Sequence, residues 1–380
     1  MQELTGTMRN YAWGSYHLLS DFLGFPSPSE LPEAELWFGA NPLGSSFIGH
    51  KPLTAIISED VPGQLGIRNT RLPFLVKLLA AGEPLSIQVH PTKKQAERGF
   101  AQENAREIPL TSPSRNYKDN NHKPELLIAI SPFQALAGFR PLQKTAVLFS
   151  SFSGPELDRY KMMINNEKES ESLTKILTSW ISLAELKRKV LIDELLMSIS
   201  HYKSLHGTKT WISEVGEIVT MLHNKYPYDI GILAALLLNF VRLEPGEAIY
   251  LGAGQMHSYL SGLGLEVQAN SDNVLRGGLT KKHVDVQELL KILSFSTLDD
   301  PKIRANPDGF YPVPIEEFNV QLACDCKKTL PSGKPYIVLC TKGSVSADNS
   351  RILNQGGAGW VAASDADTKL VINGNAFICS

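Results

Sequence analysis

Apolar and polar positions alternate in different ways along the chain, and the part before Pro141 follows a strand pattern. Apolar segments of strand length, bounded by glycine or proline, lie at residues 73–81, 84–90, 124–131 and 133–139. A polar stretch at 93–121 separates the second segment from the third and predicts a helix followed by a loop. The first part of the chain is therefore expected to be rich in β-structure.

After Pro141 the apolar residues recur at the three- and four-residue spacing of a helix. This spacing predicts helices within 183–191, 211–222 and 229–239. Asp229 is expected to cap the last of these, and Ser182 and Glu185 have the spacing of a capping box. We therefore expect a helical block at 142–239, with a charged surface loop at 165–172.

The strand pattern returns from residue 240. Short segments at 241–243 and 248–250 flank a Pro-Gly turn, and the pairs Gly262/Gly264 and Gly277/Gly278 are interpreted as further turns. Residues 284–294 predict a connecting helix. Short β-branched segments at 336–341 and 369–372 predict a small β-sandwich or barrel at 310–380.

The expected architecture is mainly β with an inserted helical part. Residues 1–141 and 240–299 would form one split β-domain, 142–239 a helical insertion, and 300–380 a C-terminal β-domain. A length of 380 residues suits two or three domains of ordinary size.

Charge and hydropathy narrow the classes of partner. With 37 basic and 39 acidic residues the formal charge is −2, so nothing draws the whole protein to nucleic acid or to an acidic membrane. An anionic ligand therefore needs a local cluster of basic residues. The N-terminal segment lacks a signal-peptide pattern and the longest apolar run, 230–238, is too short to cross a bilayer. We expect a cytoplasmic protein without nucleic-acid or membrane partners.

All four cysteines lie near the C-terminal end of the chain, at Cys324, Cys326, Cys340 and Cys379. Neither a disulfide framework nor thiolate chemistry is therefore possible in the part of the chain before Cys324. Cys324 and Cys326 are closer together than the cysteines of a usual zinc site, so we interpret them as small packing residues.

Several coordinating side chains occupy strand positions. Ser86, Gln88 and His90 alternate along one predicted strand and so share a face. With Glu125 and His257 they offer two imidazoles, a carboxylate and a weaker amide oxygen, a donor set that suits a borderline divalent metal. Only the fold can bring them together, and the alternative is that each histidine satisfies a local hydrogen bond while Glu125 caps a strand.

Two basic residues stand out by their position. Arg276 lies in a glycine-rich loop, where a guanidinium could clamp an anion or stay solvated. Lys77 lies within an apolar strand, which favours a side chain pointing into a site over one that reaches outward to solvent.

These segments resemble a known family. The matching stretches are residues 10–14 (NYAWG), 34–37 (AELW), 73–91, 121–125 (NHKPE) and 243–280. In this order they resemble the bacterial type I phosphomannose isomerases, and the chain beyond position 300 matches more weakly, as a terminal β-domain. The resemblance implies a cupin-type (jelly-roll) β-barrel that holds one zinc ion, an all-helical insertion and a C-terminal cupin-like domain.

The resemblance also implies roles for individual residues. The zinc ligands fall on Gln88, His90, Glu125 and His257, and the catalytic arginine falls on Arg276. The substrate-contacting positions are Lys77, Ser86, Lys123, Tyr259, Glu266 and Lys282. Of these, Lys123 and Glu266 are our candidates for the proton carrier because each titratable group is close in sequence to a ligand or to Arg276. Lys77, Ser86 and Lys282 are our candidates for holding phosphate.

The chain departs from the family pattern in several places, including the small changes Gly252 for a common proline and Ser258 for a usual alanine, and two departures bear on the site. Asn41 replaces a usual histidine, which affects contacts around the ligands rather than the ligand set. Lys281 replaces a common proline beside Lys282, so either lysine could reach the substrate.

The function that the resemblance implies is zinc-dependent isomerisation of mannose 6-phosphate to fructose 6-phosphate through a cis-enediol, by a monomeric enzyme. Two other readings of the same residues stay open. An Fe(II) dioxygenase of the cupin type uses two histidines and a carboxylate, although Gln88 would fill one of the positions that it needs open. A non-catalytic sugar-phosphate-binding protein would use the same fold without chemistry.

Overall fold

The computed structural model describes residues 1–164, 168–347 and 352–380. Its helices within these ranges are α1 Leu18–Leu23, α2 Leu53–Glu59, α3 Val61–Leu65, α4 Lys93–Ala105, α5 Leu142–Ser151, α6 Pro155–Ile164, α7 Glu169–Ile181, α8 Glu185–His206, α9 Trp211–Lys225, α10 Ile230–Ala235 and α11 Val286–Ile292. None of the helices in these ranges is long and apolar enough to span a membrane.

The strands of the first part of the chain are β1 Gln2–Leu4, β2 Thr7–Arg9, β3 Glu35–Phe38, β4 Ala40–Asn41, β5 Gly44–Ser45, β6 Phe47–Ile48, β7 Lys51–Pro52, β8 Phe74–Ala81, β9 Ile87–Val89, β10 Glu125–Ala129 and β11 Phe133–Phe139. Those of the later part are β12 Leu238–Leu243, β13 Glu247–Leu251, β14 His257–Ala269, β15 Leu275–Gly278, β16 Lys302–Arg304, β17 Val320–Cys324, β18 Lys327–Leu330, β19 Tyr336–Ala347, β20 Leu353–Asn354, β21 Ala358–Val361 and β22 Thr368–Cys379.

The larger sheet is cupin-type and is organised around β14. One branch runs in the order β16-β13-β10-β14-β8-β3-β2, and a second branch joins β14 to β9, β15, β11 and β12. The first half of β14 pairs with β11, and the second half pairs with β8 and β10. One strand thereby belongs to both halves of the barrel, which brings residues from distant segments to a common interior.

Gly262 is the residue at which β14 changes partners. Its φ of +119° lies in a region that side chains rarely adopt, and a Cβ there would lie 2.6 Å from the carbonyl oxygen of Pro132. The prediction of turns at Gly262/Gly264 and Gly277/Gly278 is wrong, because these pairs lie inside β14 and β15. Glycine at these positions allows neighbouring strands to approach closely. Composition alone does not distinguish such a glycine from one in a turn.

Substituting Gly262 with alanine should therefore destabilise the barrel by about 2 kcal/mol or more, because strain and a backbone clash add. Gly252→Ala is a matched control, since a Cβ there would come no closer than 3.4 Å to another atom. Urea unfolding of both variants measures the difference. Equal stability of the two would contradict the structural role of Gly262.

The helical block lies between β11 and β12, and its apolar residues, such as Trp180 and Leu195, belong to one cluster with residues of the barrel strands, such as Val89 and Leu275. Asp229 caps α10, as predicted, by accepting from the main-chain N–H of Gly231. The helix predicted to continue to residue 239 ends at Ala235, because Leu238 already pairs with Phe139 in the sheet.

Two further expectations for the helical block are wrong. Ser182 makes no capping box, since its hydroxyl donates to the carbonyl of Thr178 and α8 begins without a side-chain cap. Residues 169–172 of the predicted charged loop at 165–172 are helical, since α7 begins at Glu169, and Ser172 is buried. Residues 165–167 of that loop lie outside the described residues.

The C-terminal part forms a second sheet in the order β1-β21-β19-β22-β17, with β18 on β22 and β20 on β19. Its first strand comes from the opposite end of the chain, since Gln2 to Leu4 pair with Trp360 to Ala358. The two sheets share one apolar cluster that includes Phe74 and Trp360. The four cysteines are free thiols in this part, and Cys324 is exposed rather than packed.

Candidate metal centre and substrate cavity

The strand pairings place the predicted ligands side by side. Gln88 on β9 is the register partner of His257, the first residue of β14. Glu125 opens β10 and pairs with Gln268 near the other end of β14. His90 follows β9 directly. The sheet thus assembles at one place ligands that come from three well-separated segments of the sequence.

Three of these side chains form a closed, buried cluster. Nε2 of His90 lies 3.4 Å from one carboxylate oxygen of Glu125, and Nε2 of His257 lies 3.4 Å from the other. The three ligand atoms lie within 4.8 Å of one another. A single divalent cation fits between an N, an O and an N donor at this spacing.

Hydrogen bonds on the far side of each ring orient the two imidazoles. Nδ1 of His90 donates to the main-chain oxygen of Asn273 at 2.8 Å, and Nδ1 of His257 donates to that of Gln255 at 3.1 Å. A carbonyl only accepts, so in the neutral ring the lone pair is on Nε2, which faces Glu125. Both rings are therefore held as ligands.

Burial sets the protonation of this cluster. It lowers the pKa of His90 to about 4, so the ring is neutral at physiological pH. Burial alone would raise the pKa of Glu125, but the charge of Lys123 leads the contributions that more than offset it, and the pKa lies well below its usual range. Nε2 of His90 is buried without a hydrogen-bond partner, which is costly for a polar atom unless a metal occupies its lone pair.

A second group of buried charges adjoins this cluster. Nζ of Lys77 lies 2.7 Å from Glu266 and 3.4 Å from Glu35. Tyr259 donates to the other oxygen of Glu266 at 3.0 Å and lies 3.5 Å from Glu125. Burial opposes the charge on Lys77, but the two carboxylates outweigh it and raise its pKa. Lys77 is therefore a fixed internal cation.

Removal of this cation should be destabilising. Lys77→Met leaves Glu266 and Glu35 buried without their counter-charge, and we expect a loss of about 3–5 kcal/mol in the free energy of unfolding. Lys51→Met is the control, because the Lys51–Glu59 ion pair is exposed and its removal should cost about 1 kcal/mol or less. Urea unfolding distinguishes them. A similar, small effect of both substitutions would show that the internal lysine is not needed for charge balance.

A cavity of about 1070 Å³ opens beside the cluster. Its basic lining residues are Arg71, Lys77, Lys118, Lys123, Arg276, Lys281 and Lys282, against the acidic Glu35, Asp119 and Asp272. The near-neutral chain thus has the local basic cluster that an anionic ligand requires. Ser86 and Gln88 line the same cavity, in agreement with their predicted common face.

Arg276 and Lys282 are two of the cations of this cavity that are still available to a ligand. In the described part of the chain neither forms an ion pair, and burial lowers the pKa of both, with Arg276 adding to the effect on Lys282. Lys123, by contrast, lies 3.0 Å from Glu125. Arg276 is also the register partner of Gln88, so it lies next to the candidate ligands.

The sequence reasoning assigned no role to two buried polar residues of this region, Glu35 and Asn273, and treated Asn41 only as a departure from the family pattern. Glu35 accepts from the indole N–H of Trp37 at 2.9 Å besides contacting Lys77. Asn41 accepts from the main-chain N–H of Leu43 and lines the cavity. The sequence signal that could have indicated Glu35 is its position as a lone acidic residue in an otherwise apolar strand.

Comparisons with known proteins agree with this geometry. Residues 1–142 match the family model of the type I phosphomannose isomerase catalytic domain. The mannose-6-phosphate isomerase of Escherichia coli K12 is 35% identical over 387 residues, 96% of each chain. That of Salmonella typhimurium LT2 is 34% identical over 391 residues, again 96% of each chain. A crystal structure of mannose 6-phosphate isomerase (holo; zinc bound) is 33% identical, with a TM-score of 0.89 over 100% of this chain and 98% of that chain.

A cupin-type barrel with a buried His–Glu–His cluster at the edge of a basic cavity is typical of metal-dependent enzymes. The identity extends over nearly the whole of both chains, so it covers the barrel, the helical block and the C-terminal sheet alike. The chain belongs to the type I phosphomannose isomerase family and is an isomerase.

Proposed function

We propose that this protein interconverts D-mannose 6-phosphate and D-fructose 6-phosphate. The observation that carries the proposal is the buried cluster of His90, Glu125 and His257 beside a cavity with unpaired cations. The chain is also similar, over 96% of its length, to a protein named mannose-6-phosphate isomerase. The cluster suits an aldose–ketose rearrangement and the cations suit a phosphate group.

The cofactor is one zinc ion, as in the zinc-bound structural neighbours. His90, Glu125 and His257 would hold it, with the amide oxygen of Gln88 as the fourth ligand, since Gln88 is the register partner of His257. When bound, zinc supplies a Lewis acid for the oxygen atoms of the reacting carbons. The nitrogen and oxygen donors fit this ion, and the cysteine-free barrel offers no thiolate competitor.

Arg276 is assigned to the negative charge that develops on the sugar oxygens. The C2 proton of an aldose is weakly acidic, so its removal produces an enediolate whose charge must be stabilised. Arg276 has no carboxylate partner in the described structure and lies beside Gln88. A cation that is fixed before the reaction stabilises such charge without reorganisation.

The proton moves from C2 to C1 through a cis-enediol, and Lys123 and Glu266 are the candidate carriers. Lys123 lines the cavity. Both oxygens of Glu266 are already engaged, one by Lys77 and one by Tyr259. We therefore assign the transfer of the proton from C2 to C1 to Lys123, with Glu266 and Tyr259 fixing the surrounding charges.

The phosphate group is assigned to Ser86 and Lys282. Both line the cavity, and the ammonium of Lys282 has no ion-pair partner among the described residues. Lys77 is the weakest of the three phosphate candidates because two carboxylates already surround its ammonium. All of these groups come from one chain, so a monomer contains the complete site.

A coupled assay with mannose 6-phosphate as the substrate tests the proposal directly. Formation of fructose 6-phosphate, with close to one zinc per chain by metal analysis and no oxygen uptake, is the expected result. Oxygen consumption with iron in the protein would support a dioxygenase instead. Tight binding of mannose 6-phosphate without turnover by the zinc-loaded protein would support a non-catalytic binding protein.

A further inference from the structure

Two loops meet beside the metal cluster, and each leads into residues of the proposed site. The first loop, residues 117–124, contains Lys123 and leads to Glu125, and we call it the ligand loop. The second, residues 270–274, leads to Arg276, and we call it the cation loop. Asn273 is a residue of the cation loop, and its side chain is fully buried between the two loops.

The side chain of Asn273 belongs to the cation loop, but its hydrogen bonds run to the ligand loop. Its carbonyl oxygen accepts from the main-chain N–H groups of Lys118 at 2.6 Å and Asp119 at 3.2 Å. Its amide nitrogen donates to the main-chain oxygens of Asp119 and Asn121, both at 2.8 Å. The whole amide is therefore used to join the two loops.

The main chain of Asn273 makes the third connection. Its carbonyl oxygen is the group that accepts from Nδ1 of His90 at 2.8 Å. The position of this oxygen sets the direction in which Nε2 of His90 points, and Nε2 faces Glu125. One residue thus touches both loops and a ring of the metal cluster.

The carboxylate of Asp119 reinforces the same junction from the ligand loop. It accepts from the hydroxyl of Ser271 at 2.9 Å and from the main-chain N–H of Asp272 at 2.8 Å. It also accepts from the main-chain N–H of Asn121 at 2.8 Å. The junction is therefore reciprocal, with side chains of each loop bonded to the other.

We propose that Asn273 is a positioning residue that fixes His90 for metal binding and locks the cation loop to the ligand loop. Removing its amide leaves two main-chain N–H groups and two main-chain oxygens of the ligand loop without these partners in a buried place. The loops would separate to rehydrate them, which moves the acceptor of His90 and displaces Arg276. Partners that orient a metal-bound imidazole typically contribute about 10- to 100-fold to metal affinity.

The expected change in isomerase kinetics, which follows from displacement of Arg276, rests on the proposed function. The expected change in zinc affinity does not. Asn273→Ala should weaken zinc binding about tenfold or more, measured on metal-free protein by competition with a chromophoric chelator. In the isomerase assay the same variant should show a raised KM together with a lowered kcat. Ser271→Ala removes the hydroxyl that contacts Asp119, Asn121 and the main-chain N–H of Asn273 but leaves the Asn273 amide in place. It should weaken zinc binding by a smaller factor of about three.

Asn116→Ala is the matched control. Its amide donates to Asp285 at 2.9 Å, next to the ligand loop but outside the junction, so zinc affinity should stay within about twofold of the original protein. Unchanged zinc affinity in folded Asn273→Ala would overturn the proposal, and so would an equal loss in the control. If Asn273→Ala does not fold, unchanged zinc affinity in Ser271→Ala overturns it. If the original protein lacks isomerase activity but the zinc affinities differ as stated, the proposed function fails and the positioning role stands.

Discussion

Arg276→Ala should lower kcat by about two to three orders of magnitude while the protein keeps its full metal content. The guanidinium lies next to Gln88 in register and has no carboxylate partner in the described structure, so its charge is available to the reacting sugar. It is not itself a ligand, which is why metal content should not change. Steady-state kinetics with mannose 6-phosphate and metal analysis of the same sample measure both quantities.

Two further variants separate a specific role for Arg276 from a general effect of cavity charge. Arg71 also lines the cavity but is exposed, so Arg71→Ala should change kcat by less than about threefold. Arg276→Lys keeps the charge but loses the planar donor set, so its kcat should lie between that of the original enzyme and that of the alanine variant. Turnover that stays unchanged in Arg276→Ala would show that the enediolate is stabilised elsewhere.

Removal of the metal should abolish isomerisation and also destabilise the protein. Without a metal, Nε2 of His90 is a buried atom that has no hydrogen bond, and His257 and Glu125 would lose the cation that the cluster would hold. A ligand present at a thousand times its Kd contributes about 4 kcal/mol of stability. We therefore expect dialysis against a chelator to eliminate activity and to lower the Tm by several degrees.

Added zinc should restore both properties, whereas magnesium should restore neither, since the two imidazoles of the cluster suit a borderline metal better than a hard one. The zinc-restored sample should regain activity in proportion to bound zinc. Turnover in a sample verified to be metal-free would rule out the proposed chemistry, and an unchanged Tm would show that zinc does not contribute to folding stability.

The strand-rich parts and the helical block could be predicted because their apolar spacing follows from burial on one face. Predicted strands at 73–81 and 133–139 correspond to β8 and β11, and the helix in 93–121 corresponds to α4. The long strand β14 could not be predicted, since Gly262 and Gly264 have the composition of a turn. Their conformation is decided by residues of neighbouring strands that approach closely, namely the backbone of Pro132 at Gly262 and the side chain of Leu127 at Gly264.

The candidate site shows the same division between local and long-range information. The donor types of His90, Glu125 and His257 were visible in the sequence, but their convergence was implied only by resemblance to a family. The position of Lys77 within an apolar strand favours a side chain that points into a site, and Lys77 lines the cavity, yet nothing in the sequence indicates its two counter-charges. Glu35 lies on a different strand, and only the register of β3 against β8 brings it within 3.4 Å of Lys77.

The pairing of β1 with β21 has a consequence for the order in which the molecule assembles. Residues 2–4 are synthesised long before their partners at 358–360. Contacts between segments so far apart in the chain are slow to form because a long loop must close before any gain results. The C-terminal sheet therefore acquires this edge strand only after residues 358–361 have been synthesised. Until β1 pairs with it, the free edge of β21 is a site at which chains can associate wrongly.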